Sequence, residues 1–250
     1  MARQFQLFLC AVQFLTRLPT PALRNFEPDW ITRSAKYFPL VGLIVGCISA
    51  AALWLAARLW TGPLPAMVAI AAGVLVTGAF HEDGLADTAD GLGGGRDSAH
   101  RLEIMKDSRI GTYGASALMI CLALKTAALS ALHGPATMMS LVAAHGGGRA
   151  VAVLAMHLLP YAGDPQAAKS KPVPNGVTRT ECLLALVLGL WPLFFMPYVP
   201  AIAGLLGGCL LGGAVVLLAR RLIRGYTGDV LGATEQLFEV GFLLAVAANL

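Results

Sequence analysis

Charge is scarce in this chain of 250 residues: 18 lysines and arginines and 14 aspartates and glutamates make up 13%. A soluble globular chain carries about 25%, so this scarcity argues against a water-soluble domain. Net charge is only +4, too small to indicate a nucleic-acid partner. The five cysteines (Cys10, Cys47, Cys121, Cys182, Cys209) are scattered, mostly inside apolar runs, and no two have metal-ligand or redox spacing. That excludes a disulfide framework and reads them as small apolar packing residues. The N-terminal MARQFQLFLCAVQFLTRLP has no small-residue cleavage site and stops at prolines. It reads as an interfacial or partly buried helix and not as a signal peptide. There is no internal repeat and no low-complexity tail. What the chain has instead is apolar residues, 57% of the total, with a mean hydropathy of +0.70.

Those residues fall in seven candidate spans, at 38–60, 64–81, 112–132, 137–159, 182–199, 201–220 and 233–250. Each is close to the length that crosses ~30 Å of hydrocarbon at ~1.5 Å per helical residue. Turns punctuate them: Thr61-Gly-Pro-Leu-Pro65, His133-Gly-Pro135, and Pro197 to Pro200. The fold class expected is therefore all-α, a single polytopic membrane helical bundle over 1–250.

The basic residues orient it. Arg3, Arg17, Arg24, Arg33 and Lys36 precede the first span. Arg96, Arg101, Lys106 and Arg109 follow the second, Lys169, Lys171 and Arg179 the fourth, and Arg220, Arg221 and Arg224 the sixth. Apart from Arg58 the remaining loops carry almost none. Positive residues mark the cytoplasmic side, so the N-terminus and the loops at 82–111, 160–181 and 221–232 are expected inside and the C-terminus outside.

Seven of the 14 acids lie between Glu82 and Asp107, on that side. Asp83, Asp87 and Asp90 stand at i, i+4 and i+7, within a narrow arc of a helix. Like charges at this spacing destabilise a helix, and a divalent cation would offset them; an all-oxygen set suits Mg²⁺, Mn²⁺ or Ca²⁺. Gly84 and Gly91 leave room for a bulky ligand or another backbone, and Arg96 after three glycines is a phosphate-pairing candidate. Glu103 and Asp107 are again one turn apart, with Arg109 next to them. Asp229 stands isolated among glycines in 225–232. Arg149, after Gly146 to Gly148, is an intramembrane charge and so a functional candidate. Lys125, Glu235 and Glu239 raise the same question. His81 is either a helix-end interface residue or part of a site; His145 and His157 read as packed or hydrogen-bonded; Trp54, Trp60 and Trp191 read as packing or membrane-belt residues.

HEDGLADTADG (81–91), followed by IMKDSRIGTYG (104–114), resembles the cobalamin synthase family, the adenosylcobinamide-GDP ribazoletransferases. FLTRLPTP (14–21), YFPLVGLIVG (37–46) and GYTGDVLGA (225–233) extend the likeness from near the N-terminus to the last span. Glu82 departs from the pattern, in which an apolar residue is common. The resemblance implies an inner-membrane enzyme that joins adenosylcobinamide-GDP to α-ribazole or its 5′-phosphate and releases GMP, with Mg²⁺ as cofactor. It carries the motif roles to His81, Asp83, Asp87, Asp90, Asp107, Ser108, Arg109 and Asp229. In the working scheme Asp83, Asp87 and Asp90 hold one or two ions, Arg109 and Arg149 pair with phosphate, and Asp107 or Asp229 completes the metal shell or takes the acceptor's proton. The expected partners are these two substrates and the bilayer, with no nucleic acid; a homo-oligomer and contacts with other cobalamin-pathway enzymes stay open. Asp87-Thr-Ala-Asp90-Gly91 also echoes the CDP-alcohol phosphotransferases, which makes a lipid-type transferase the alternative. A cation transporter fits less well, because the acids gather at one edge.

Overall fold

The computed structural model describes residues 2–23, 26–163 and 176–249. Arg24, Lys169, Lys171 and most of the expected 169–176 loop lie outside the described residues. Eleven α-helices form among the described residues and no strand does: α1 (Ala2–Leu15), α2 (Trp30–Ser34), α3 (Phe38–Ala56), α4 (Leu64–Thr77), α5 (Phe80–Gly94), α6 (Ser98–Ile104), α7 (Thr112–Ala131), α8 (Pro135–Leu158), α9 (Arg179–Leu190), α10 (Tyr198–Ile223) and α11 (Gly228–Ala247). The chain is a polytopic membrane helical bundle. Boundaries follow local chemistry. Prolines open α3, α4 and α8, where a missing N–H costs nothing. Thr178 and Glu181 form a reciprocal capping box on α9, and the Thr227 hydroxyl caps α11 by accepting from the Val230 N–H.

The seven expected spans need correction. Five helices are long and apolar enough to cross: Trp30–Ala56 (α2 and α3 joined by a 3-10 turn), Thr112–Ala131, Ala136–Leu158, Tyr198–Ile223 and Gly228–Ala247. A sixth exists only if α4 and α5 count together, and they are bent by 90°. The cause is local: Gly78 (φ 67°) and Ala79 (φ 59°) are both left-handed, which no helix continues. The expected 182–199 span is also broken. It stops at Leu190, tightens into a 3-10 turn over Trp191–Phe195, and carries Pro192 and Pro197.

α11 sits at the centre, packed by α5, α7, α8 and α10. α10 meets it through Gly204, Gly207, Gly208 and Gly212, against Phe238, Gly241 and Phe242, the small-residue packing expected where lipid gives no hydrophobic drive. The outer face of α10 leaves Ile202, Leu206, Leu210 and Leu217 exposed at helical spacing, a lipid-facing stripe. The N-terminal helix behaves as its sequence indicates: α1 buries Leu7, Cys10, Ala11, Val12 and Leu15 and exposes Arg3, Gln4, Phe5 and Gln13.

The N-terminal segment and the segments after α5, α8 and α10 converge on one end of the bundle. There Tyr161 pairs with Tyr226, Ala162 N–H donates to Tyr226 O (2.8 Å) and Tyr226 N–H donates to Pro160 O (3.0 Å). Burial, and then the neighbouring Tyr161, push the Tyr226 phenol up to about 12. Among the tryptophans read as belt residues, Trp54, Trp60 and Trp191 are each about half exposed, near the turns that join α3 to α4 and α9 to α10.

Candidate active site

At the converging end lies a cavity of about 410 Å³. One wall is acidic. α5 contributes Asp83 and Asp87, the start of α11 contributes Asp229, and Lys106 comes from the segment after α6. The two helices meet so closely because neither has a side chain at the crossing. A Cβ on Gly84 would lie 2.9 Å from the Asp229 carbonyl oxygen, and one on Gly232 would lie 3.2 Å from that of His81. Gly84 therefore acts by backbone approach, one of the two roles its small size allows. Asp87 is half-buried and close enough to Asp83, Asp229 and Asp90 to be repelled by all three. The Thr227 hydroxyl stands 3.3 Å from the Asp229 carboxylate. An oxygen-only donor set from two helices, with excess negative charge, is the chemistry that takes a hard divalent cation.

The rest of the wall is apolar, with Phe14 and Leu15 of α1, Ile31 of α2, Phe38 of α3 and Met156 of α8. His81, Arg149 and Glu235 also line this cavity and belong at the same time to a second, much smaller space of about 20 Å³ among α4, α5, α7, α8 and α11, room for about one water.

Around that inner space a charged network is buried. Arg149 Nη1 lies 2.6 Å from Glu235 Oε1 and 3.8 Å from Glu239 Oε1, and donates to His145 O (3.1 Å). His81 Nε2 lies 2.8 Å from Glu235 Oε2. Lys125 donates to Glu239 (2.5 Å) and Gln236 (2.6 Å), and His145 Nδ1 lies 2.5 Å from Glu239. Gln236 donates to Glu82 (3.2 Å). Lys125, Arg149, Glu235 and Glu239 are at most 5% exposed. Charges this deep are stable only when paired, and here they are. His145, Glu235 and Glu239 are near enough to share an ion, but Lys125 and Arg149 already supply positive charge at that point.

The sequence-predicted residues separate accordingly. Asp83, Asp87, Asp229, His81 and Arg149 line one cavity. Asp90 does not: its buried carboxylate accepts from the N–H groups of Gly111 (2.7 Å) and Gly114 (2.9 Å), tying α5 to the start of α7. Asp90 lies about two turns beyond Asp83 and about 60° around the axis from Asp87, where α7 closes over the helix. Asp107 also turns elsewhere. It is bound by Arg109 at 2.6 Å, and the guanidinium, ahead of the Arg109 backbone N–H, holds its carboxyl down at about 2. Arg109 is 86% exposed. Arg96, Ser108 and Arg109 do not line the cavity, and Gly91 faces Met105 and Arg101. Glu82 points to Gln236 in the inner network, away from the acidic wall. Asp97, also exposed, caps α6; the His100 N–H it accepts lowers its pKa.

Sequence reasoning missed Lys106, Tyr161, Tyr226 and Thr227 as cavity residues. Thr227 and Tyr226 stand inside the GYTGD stretch that flagged Asp229, so the signal was adjacent. Tyr161 carries none.

A sequence model of the family described as cobalamin-5-phosphate synthase matches residues 7–247. The adenosylcobinamide-GDP ribazoletransferase of Leptothrix cholodnii is 44% identical, over 98% of this chain and 96% of its own length. Proteins of the same name from Shewanella frigidimarina (42%, 98% of this chain, 95% of theirs) and Shewanella baltica strain OS195 (40%, 99% and 97%) are similar over the same extent. No solved structure matches.

Proposed function

The chain belongs to the cobalamin-5-phosphate synthase family, and from that membership we propose how its cavity carries out the reaction. The protein is an adenosylcobinamide-GDP ribazoletransferase. It moves the adenosylcobinamide-phosphate group of adenosylcobinamide-GDP onto α-ribazole or α-ribazole 5′-phosphate. The acceptor's hydroxyl oxygen bonds to the phosphorus on the cobinamide side, the diphosphate P–O bond breaks, and GMP leaves with the bridging oxygen and its electron pair. The observation that carries the reading is the placement of Asp83, Asp87 and Asp229, from two distant stretches of the chain, on one cavity wall.

Asp83 and Asp87 are the residues that would hold Mg²⁺. Bound there, Mg²⁺ would neutralise the diphosphate oxygens, since phosphoryl transfer is chiefly a matter of positioning and electrostatics. Lys106 and Arg149 face the transferred phosphate, with Arg149 fixed in direction by Glu235. Asp229, in contact with the Thr227 hydroxyl, takes the acceptor's proton. Asp90 and Asp107 act on the frame of the site. The cavity lies at the end where the basic loops gather, and the tendency of positive residues to stay on the cytoplasmic side supports reading that end as the cytoplasmic face of the inner membrane.

The test is GMP release from adenosylcobinamide-GDP by detergent-purified protein, with α-ribazole and with or without Mg²⁺. Release is expected only with the metal. Asp83→Asn and Asp87→Asn should each cut turnover at least about 100-fold while staying monodisperse, on the scale of lost electrostatic stabilisation at a transition state. Near-normal turnover in both would remove the ion-holding role. Turnover of CDP-diacylglycerol in its place would shift the assignment to a lipid-type transferase.

A further inference from the structure

We infer that the apolar wall of the cavity is the seat of the acceptor's aromatic base, and that the guanine of the nucleotide donor binds outside it. The inference rests on the transferase reading above and adds to it where each ring goes.

The cavity's size sets the first limit. At about 410 Å³ it is near the lower end of small-molecule pockets, which run from roughly 300 to 1,000 Å³. That is room for one nucleoside-sized group beside a diphosphate, and not for a corrin macrocycle or for two nucleosides.

The wall's chemistry sets the second. Phe14 stacks on Phe38 (centroids 5.8 Å, interplanar 23°) and meets Phe80 edge-on (5.3 Å, 72°). Leu15, Ile31 and Met156 extend it, and the hydroxyls of Thr32, Tyr161 and Tyr226 belong to the same lining. Guanine brings a ring N–H, an exocyclic amine and a carbonyl, and a buried polar group without a partner costs about 1–3 kcal/mol. The phenylalanine rings, Leu15, Ile31 and Met156 offer a partner to none of the three. The benzimidazole of ribazole has an apolar edge and a flat face, which phenylalanine rings and a methionine side chain accept without such a cost. With the base against this wall and the acidic wall in the same small space, the riboside's hydroxyl is brought to the diphosphate.

The experiment measures KM separately for the two substrates. Phe14→Ala should raise the KM for α-ribazole about ten-fold and leave that for adenosylcobinamide-GDP within about two-fold; Phe14→Leu, which keeps most of the volume, should lie between. A rise for the donor alone, or an equal rise for both, overturns the assignment, and so does no change in either. A second measurement needs no variant. With wild-type protein, free benzimidazole should inhibit competitively against α-ribazole and not against the donor. Competition with the donor alone, or no inhibition at millimolar benzimidazole, would count against the proposal. If wild-type protein releases no GMP with α-ribazole at all, it is the transferase reading that fails, a result distinct from any of these.

Discussion

Consider Glu239→Leu. In the folded protein Glu239 is 2% exposed and faces three cationic or protonatable groups: Lys125 at 2.5 Å, His145 at 2.5 Å and Arg149 at 3.8 Å. Taking it away leaves Lys125, 5% exposed, with only the Gln236 amide oxygen at 2.6 Å. Removing one partner of a buried ion pair typically costs about 3–5 kcal/mol, because the remaining charge is stranded. For a chain of about this length 1 kcal/mol moves the melting temperature by about 2–4 °C, so Tm should fall by about 6–20 °C. Thermal unfolding in detergent, followed by tryptophan fluorescence, reads this directly. Lys125→Leu should cost less, since Glu239 keeps His145 and Arg149. The double variant Lys125→Leu/Glu239→Leu should regain at least half of the single Glu239 loss, because the stranded charge goes with its partner. A single variant melting within about 2 °C of wild type, or a double variant worse than the sum of the two, would refute the account of the network as a paired set of buried charges.

Other outcomes follow from the same geometry. Asp90→Ala should destabilise the fold, by about 1.5–3 kcal/mol for each backbone hydrogen bond lost to a charged acceptor, and so lower Tm, whereas Asp83→Asn should lower kcat and leave Tm nearly unchanged; the reverse pattern would mean the two acids have been assigned the wrong way round. Gly84→Val should cut turnover at least ten-fold, because its new Cβ would stand 2.9 Å from the Asp229 carbonyl oxygen and force α5 from α11; full activity would show that the crossing can open harmlessly. The Asp107 carboxyl, lowered to about 2, favours the folded state above its unfolded pKa and loses that effect only as pH falls through about 2. Arg109→Gln should therefore leave the pH–activity profile between pH 6 and 9 unshifted, and a displaced acidic limb in that range would show that Asp107 titrates during turnover.

Much of this was legible from spacing alone, and the failures have identifiable causes. The class, the helical bundle and the grouping of basic loops at one end follow from hydropathy and charge, which a bilayer makes unusually strict. The break in the second span was not legible, because Val74 to Phe80 is as apolar as any helix interior and the turn depends on two left-handed residues, one of them the alanine Ala79. Helical periodicity placed Asp83, Asp87 and Asp90 on one face and stopped there. It could not show that α7 arrives over Asp90 with two glycines whose N–H groups claim the carboxylate. Lys125, Arg149, Glu235 and Glu239 stood out singly as charges inside apolar runs, but their mutual pairing is a property of three helices far apart in sequence. The apolar wall was invisible for the opposite reason: Phe14, Phe38 and Met156 look like any core residues until the space beside them is seen.

The right-angle bend at Gly78-Ala79 bears on how the chain enters the bilayer. An aspartate at the middle of an inserted helix costs about 2.5–3.5 kcal/mol. A straight helix through 64–94 would have to carry Glu82, Asp83, Asp87 and Asp90 along the membrane normal. By turning aside, the chain keeps α4, with no charged residue of its own, packed on α3, and directs the carboxylate-bearing α5 against α11. The acidic wall is thus shared between two helices far apart in sequence, so a chain cut before Gly228 would lack the Asp229 side of it.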